Sequence, residues 1–143
     1  MIRPFQSDDI PELLALWLES TTLAHPFIRA DYWLESLPLV RDEYLPQSLS
    51  WVDERDGEMT GFISILMGQF IGAVFVAPRY YHQGIGQGLL AQAKQRFTVL
   101  ALEVYQLNHR ARHFYWHQDF RQIGKNFNAE TGHTLLTLQW RRH

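Results

Sequence analysis

Residues 84 to 88 read Gly-Ile-Gly-Gln-Gly, and the apolar pattern of a helix begins inside them. No other stretch limits the possible folds so strongly. Three glycines at alternate positions remove side chains where the backbone must approach something closely. A helix starting there aims its unpaired N–H groups and positive dipole end back into the loop. Together these features make an anion site. The plainer reading is a flexible turn at a helix start, and a GxGxG unit by itself does not separate the two.

Spacing removes two phosphate motifs. A P-loop ends on Gly-Lys-Ser/Thr, whereas Gly88 is followed by Leu89 and Leu90. A Rossmann fingerprint places its third glycine five residues after the first, where Leu89 stands. That fingerprint also needs a tight strand-to-helix turn, and here the loop "APRYYHQ" intervenes in mid-chain. Glu103 lies at about the distance of a ribose contact, which we read as coincidence.

The hydrophobic period places these glycines within a mixed α+β chain. "IRPF" reads as a short strand. A helix follows from Ser7, with Ser7, Asp8 or Asp9 as cap and Ile10, Leu13, Leu14, Trp17 and Leu18 on one face. Asp31 to Tyr44 reads as a second helix, kinked or split at Pro38. "LSWVDE", "MTGFISILM" and "FIGAVFV" are strand-like and joined by hairpin turns. A helix from Gly84 to Phe97, a strand "VLALEV", a helix capped by Asn108 and a closing hairpin complete the order β-α-α-β-β-β-α-β-α-β-β. Trp51 and Trp140 read as core. Gly72 inside its strand predicts a bulge or a close backbone approach.

Composition excludes several function classes. The chain has 143 residues, which suits one domain over 1–143. Its net charge of −2 offers no field for nucleic acid or an anionic membrane surface. Its apolar runs are too short to span a bilayer, and "MIRPFQSDDI" carries no signal-peptide apolar stretch. The absence of cysteine removes disulfides, thiolate zinc sites and a cysteine nucleophile. A cytoplasmic setting and a monomer or homodimer are the expectations. His109, His113 and His117 recur every four residues, a spacing open to metal binding but commoner on a solvated face. No metal is expected.

Read from Gln83, the stretch is Gln-x-x-Gly-x-Gly after the strand "AVFVAP". It resembles the coenzyme A pyrophosphate loop of the GNAT (GCN5-related) N-acetyltransferase superfamily. "LEVYQLNHRARHFYWHQDF" resembles the next block of that family, with Asp119-Phe120 where many members have glycine. "LWLESTT", "HPFI", "DYW", "PLVRD" and "LEVYQ" resemble a small enterobacterial subgroup associated with protein lysine acetylation. The resemblance implies a central mixed, mostly antiparallel twisted sheet of about six or seven strands, flanked by about four helices. It also implies an acetyl-CoA-dependent N-acetyltransferase acting by direct attack of a primary amine.

The resemblance also implies roles. The main chain of Phe75 and Val76 would hold pantetheine. Gly84, Gly86 and Gly88 would hold pyrophosphate, with backbone groups of Gln83, Ile85, Gln87 and Leu89. Asn108 would both cap its helix and contact the cofactor. Tyr115 would be the general acid at the cofactor sulfur. The strand before the loop lacks the glutamate many members use as base, and Gln69 and Phe70 occupy that neighbourhood. Glu103 is the nearest acidic alternative, acting through water, or else a solvated or ion-paired strand residue. Phe70 would wall the acetyl group or a lysine stem. Arg79 and His82 would add positive charge beside the loop. His25, Phe27 and Tyr32 are candidates for the acceptor pocket. A protein lysine is the first acceptor, a small-molecule amine the second. A CoA-binding regulatory module without turnover is the alternative that the missing glutamate favours and the Phe114-Tyr115 pair opposes.

Overall fold

Alternation along the middle strands sorts side chains to two faces of a sheet, and each face then needs a helical cover. The computed structural model describes residues 1–143 and shows both covers. Seven strands are present: β1 (Ile2–Pro4), β2 (Leu49–Arg55), β3 (Glu58–Leu66), β4 (Phe70–Val76), β5 (Val99–Tyr105), β6 (Arg121–Asn128) and β7 (His133–Arg141). Four helices accompany them: α1 (Ile10–Ala24), α2 (Ala30–Leu39), α3 (Ile85–Arg96) and α4 (His109–His117). The strand order is β1-β2-β3-β4-β5-β7-β6. Every neighbouring pair is antiparallel except β4 and β5, which the α3 crossover makes parallel. This is the α+β architecture expected from the sequence.

On one face, Ile85, Leu89, Leu90 and Ala93 of α3 and Tyr115 of α4 pack on Trp51, Ile63, Leu100, Leu138 and Trp140. On the other, Leu13, Leu16 and Trp17 of α1 pack on Val52, Met59 and Phe62. The sequence boundaries shift in two places. Ser7–Asp9 form a 3-10 turn, and the Asp9 carboxylate accepts from Gln6 N–H at 2.8 Å while Arg3 grips it at 2.8 and 2.9 Å. The Arg3 hydrogen bonds hold that carboxyl below the usual carboxylate range. Pro38 does not split α2. The helix runs through it and widens into a π-helical turn over Val40–Tyr44, consistent with the donor that proline removes from the ladder.

β4 and β5 pair only at Phe70 with Ala101 and Ile71 with Leu102. Beyond that point the strands splay. Gln69 closes the vertex: its carbonyl accepts from Ala101 N–H at 3.1 Å and its Oε1 from Val99 N–H at 3.2 Å. Opposite Ser64 and Ile65 of β3 the register shifts by one, leaving Gly72 as an extra residue in β4. That is the expected bulge. It changes side-chain parity, so Ile71, Val74 and Val76 all face the α3 side while Ala73 and Phe75 face α1.

Candidate active site

The splay opens a cleft of about 410 Å³ whose walls are Ala73, Val74 and Phe75 on one strand and Leu102 to Tyr105 on the other. The β4 edge facing it, from Gly72 to Val76, has no strand partner on that side. Such an edge can pair with the amides of an extended ligand. At the C-terminal end of β4 stand the glycines. Gly84 is the N-cap of α3 at φ +78°, a conformation that costs other residues strain. The Gly88 N–H closes on the Gly84 carbonyl at 3.0 Å, which leaves the N–H groups of Ile85, Gly86 and Gln87 at the open helix end.

The other two glycines also have reasons of packing. A Cβ on Gly86 would lie 3.2 Å from the ring end of Phe114, and one on Gly88 would lie 3.3 Å from Ile2 Cδ1. Ile85 and Leu89 have core side chains; the Ile85 N–H is free to meet a ligand, whereas Leu89 lies past Gly88, where the helix ladder has already begun. Gln83 and Gln87 are exposed. An unpaired strand edge leading to an open helix N-terminus fits a long amide-bearing arm that ends in a diphosphate.

Tyr115 lines the cleft from α4, packed edge-on between Phe114 and Phe120 at centroid distances of 5.3 and 5.5 Å. Burial pushes its phenol well above the ordinary tyrosine value. Asn108 caps α4, its Oδ1 accepting from Ala111 N–H at 3.2 Å. That bond fixes the amide orientation and turns Nδ2 toward His25 Nε2, 3.4 Å away and at the long end for a hydrogen bond. His25 Nδ1–H donates to the Thr21 carbonyl at 2.7 Å. The network therefore assigns His25 as the neutral Nδ1–H tautomer. Burial lowers its tendency to take a proton, with the Thr21 bond opposing. The unfolded chain protonates this ring more readily, so stability rises with pH through this window. It is complete above the ordinary histidine value of 6.5 and declines as pH falls below it. Chemical denaturation of the wild type between neutral pH and about pH 5 is expected to show this loss, at most about 1.4 kcal/mol per pH unit, and His25→Gln is expected to flatten it.

Tyr32 reaches across the cleft mouth, its hydroxyl donating to Glu130 Oε2 at 3.0 Å. Burial and this carboxylate push the phenol up to about 12. Phe27 does not line the cleft. It stands behind it, 5.7 Å from Tyr105 and 5.8 Å from His25 between centroids, and its carbonyl accepts from His133 Nε2 at 3.1 Å. Phe70 also lies outside the cleft, in a neighbouring hollow. Arg79 is committed to Glu58, with Glu19 at 4.0 Å, rather than turned to the loop. The cations at that loop are Arg110 of α4, stacked 3.6 Å over Tyr81, and Arg55 of β2, whose guanidinium lies 3.4 Å from Gln83 Oε1. Glu103 is exposed on β5, lines the cleft and takes part in none of the chain's ion pairs.

The sequence reading missed Trp17, Trp33, Tyr44, Tyr105 and Glu130, which also line the cleft. The motifs around "DYW" and "LEVYQ" contain two of them, but no local spacing shows that they meet. Trp33 sits 5.0 Å from the His25 ring and 6.4 Å from Tyr105 between centroids, and its buried Nε1–H has no partner within the chain. No lysine or arginine lines the cleft. No group of three or more His, Asp or Glu side chains is placed to hold a metal ion, and no helix is long and apolar enough to cross a membrane.

A parallel strand pair splayed beside a glycine-capped helix matches what family comparison finds. Residues 10–120 match the acetyltransferase (GNAT) family, and the chain belongs to it as an acetyl-CoA-dependent N-acetyltransferase. It is 46% identical over 140 residues to peptidyl-lysine N-acetyltransferase YiaC of Escherichia coli K12, covering 98% of this chain and 96% of that one. Peptidyl-lysine N-acetyltransferase YjaB of the same organism is 33% identical over 143 residues, covering 97% of this chain and 95% of that one. The solution structure of apo YjaB superposes with a TM-score of 0.84 at 29% identity, covering 100% of this chain and 98% of that one.

Proposed function

We propose that the enzyme acetylates the ε-amine of protein lysines, with the amine attacking the thioester directly. One observation carries the reading. The cleft is aromatic-walled, holds the carboxylates of Glu103 and Glu130, and has no competing cation. An alkyl stem ending in an ammonium suits such a site: rings cover the stem, and carboxylates and π-faces attract the head. The two relatives bearing the name peptidyl-lysine N-acetyltransferase support the same acceptor.

In this reading the main chain of Phe75 and Val76 holds the pantetheine amides, and the glycine loop with the first turn of α3 holds the pyrophosphate. Asn108 steadies the start of α4 and thereby Tyr115. The chemistry needs one proton removed from the amine and one delivered to sulfur. Glu103, exposed and unpaired, takes the first through water. Tyr115 supplies a hydrogen bond to the second site. A phenol is a weaker acid than a thiol even before burial, so it assists as charge develops rather than transferring its proton beforehand.

Turnover of acetyl-CoA against lysine peptides, α-amine peptides and small polyamines tests the acceptor. ε-Acetyllysine identified by mass spectrometry is the expected product; faster turnover of a small amine would transfer the assignment to that class. Glu103→Gln is expected to lower kcat/KM by about 10²-fold near neutral pH. The deficit should shrink as pH approaches the lysine value, where the amine loses its proton unaided. A pH-independent ratio would make Glu103 a scaffold residue.

A further inference from the structure

We infer that the enzyme accepts acyl-CoA donors with chains longer than acetyl, and that their tails occupy an apolar hollow behind the β4 bulge. This rests on the cofactor slot proposed above. The hollow measures about 240 Å³ and lies between α1, the π-helical turn, β3 and β4. It meets the cleft at Trp17, Val40, Tyr44, Gly72 and Ala73, which line both spaces. The β4 side of the junction is the bulge, and α1 with the π-helical turn forms the other side.

Chain length brings the reacting carbon to that junction. A pantetheine arm spans about twelve bonds between its phosphate oxygen and its sulfur, roughly the length of four extended residues. Val76 to Gly72 is four steps along β4. An arm paired along this edge from the α3 end thus finishes at Gly72. A Cβ on Gly72 would point at Leu66, 3.4 Å from Cδ1, so the missing side chain leaves the way into the hollow free.

The lining suits a hydrocarbon. Nine of its twelve residues are apolar, among them Phe62, Leu66 and Phe70. Its two serine hydroxyls are already engaged: Ser64 with Ser50 at 2.7 Å and Ser48 with the Tyr44 carbonyl at 2.6 Å. A cavity of about 150 Å³ lined by aliphatic side chains holds benzene. A larger one has room for several methylenes beyond acetyl. The transfer itself is unchanged: the acyl carbon–sulfur bond breaks, the acyl carbon–nitrogen bond forms, and the neutral amine loses one proton as the sulfur gains one.

Calorimetric titration of the wild-type protein with acetyl-, propionyl-, butyryl- and hexanoyl-CoA, without acceptor, is the test. Each methylene up to butyryl is expected to tighten binding by about three- to fourfold. Leu66 lines the hollow and not the cleft, so Leu66→Trp is expected to abolish this gain while keeping acetyl-CoA affinity. If that variant does not fold, the wild-type series decides. Butyryl-CoA binding no tighter than acetyl-CoA overturns the inference. Failure of every thioester to bind overturns the cofactor slot together with it. A protein that fails to acetylate lysine but shows the chain-length gain leaves the inference standing and removes only the acceptor.

Discussion

Tyr115→Phe is expected to lower kcat by about 10²-fold or more while acetyl-CoA affinity stays within about twofold. The ring remains, so the contacts with Phe114 and Phe120 that seat α4 on the sheet remain as well. Only the hydroxyl of this cleft-lining residue is lost. Burial raises the phenol above the ordinary value of 10.0, so the donor form persists across the whole working range. The sign is clear: a raised acid stays protonated to higher pH. An alkaline fall in wild-type kcat centred below about pH 9 would have to come from another group. Steady-state kinetics paired with calorimetry separate the two effects. Unchanged kcat in the variant would remove Tyr115 as the acid.

Gly86→Glu is expected to weaken acetyl-CoA binding by at least about 10²-fold, the loss of two charge-assisted hydrogen bonds. A carboxylate in the first turn of α3 occupies the region where the helix presents its free N–H groups and repels a diphosphate there. The same charge favours the helix, because negative groups near an N-terminus complement its dipole. Loss of the helix is therefore not the expected cause. The Phe114 ring end at 3.2 Å must yield a little to any side chain at this position, and Gly86→Ala reports that cost alone. Calorimetry on both variants, with a thermal melt on each, isolates the charge. Equal affinity for wild type and Gly86→Glu would move the pyrophosphate elsewhere.

Much of this arrangement was legible because its signals are local. The change of period from helix to strand, the glycine at the α3 cap and the Asn108 cap each reside in a few consecutive residues. Gly72 announced the bulge because glycine inside a strand has few other uses. The glycine spacing reads as close approach to a ligand, yet Gly86 and Gly88 also answer to Phe114 and Ile2, which are distant in sequence. Gln69 occupies the neighbourhood in which many family members carry a glutamate base. Its side chain instead closes the vertex of the sheet. Neighbourhood alone makes Phe27 an acceptor-pocket candidate and Phe70 a wall for the acetyl group or a lysine stem, and both lie outside the cleft, Phe70 in the adjoining hollow.

The sequence by itself determined the class of fold, the order of its elements, the glycine-opened helix start and the phenol after Asn108. Each is a matter of residue type and spacing within one element. Only the tertiary structure decided that β4 and β5 separate after two residue pairs, that Trp33, Tyr105 and Glu130 converge with His25 on the resulting gap, and that a second hollow opens from the bulge. Those are distances between segments as far apart in sequence as His25 and Glu130. They depend on how two helix-covered faces of one sheet pack, which no local pattern specifies.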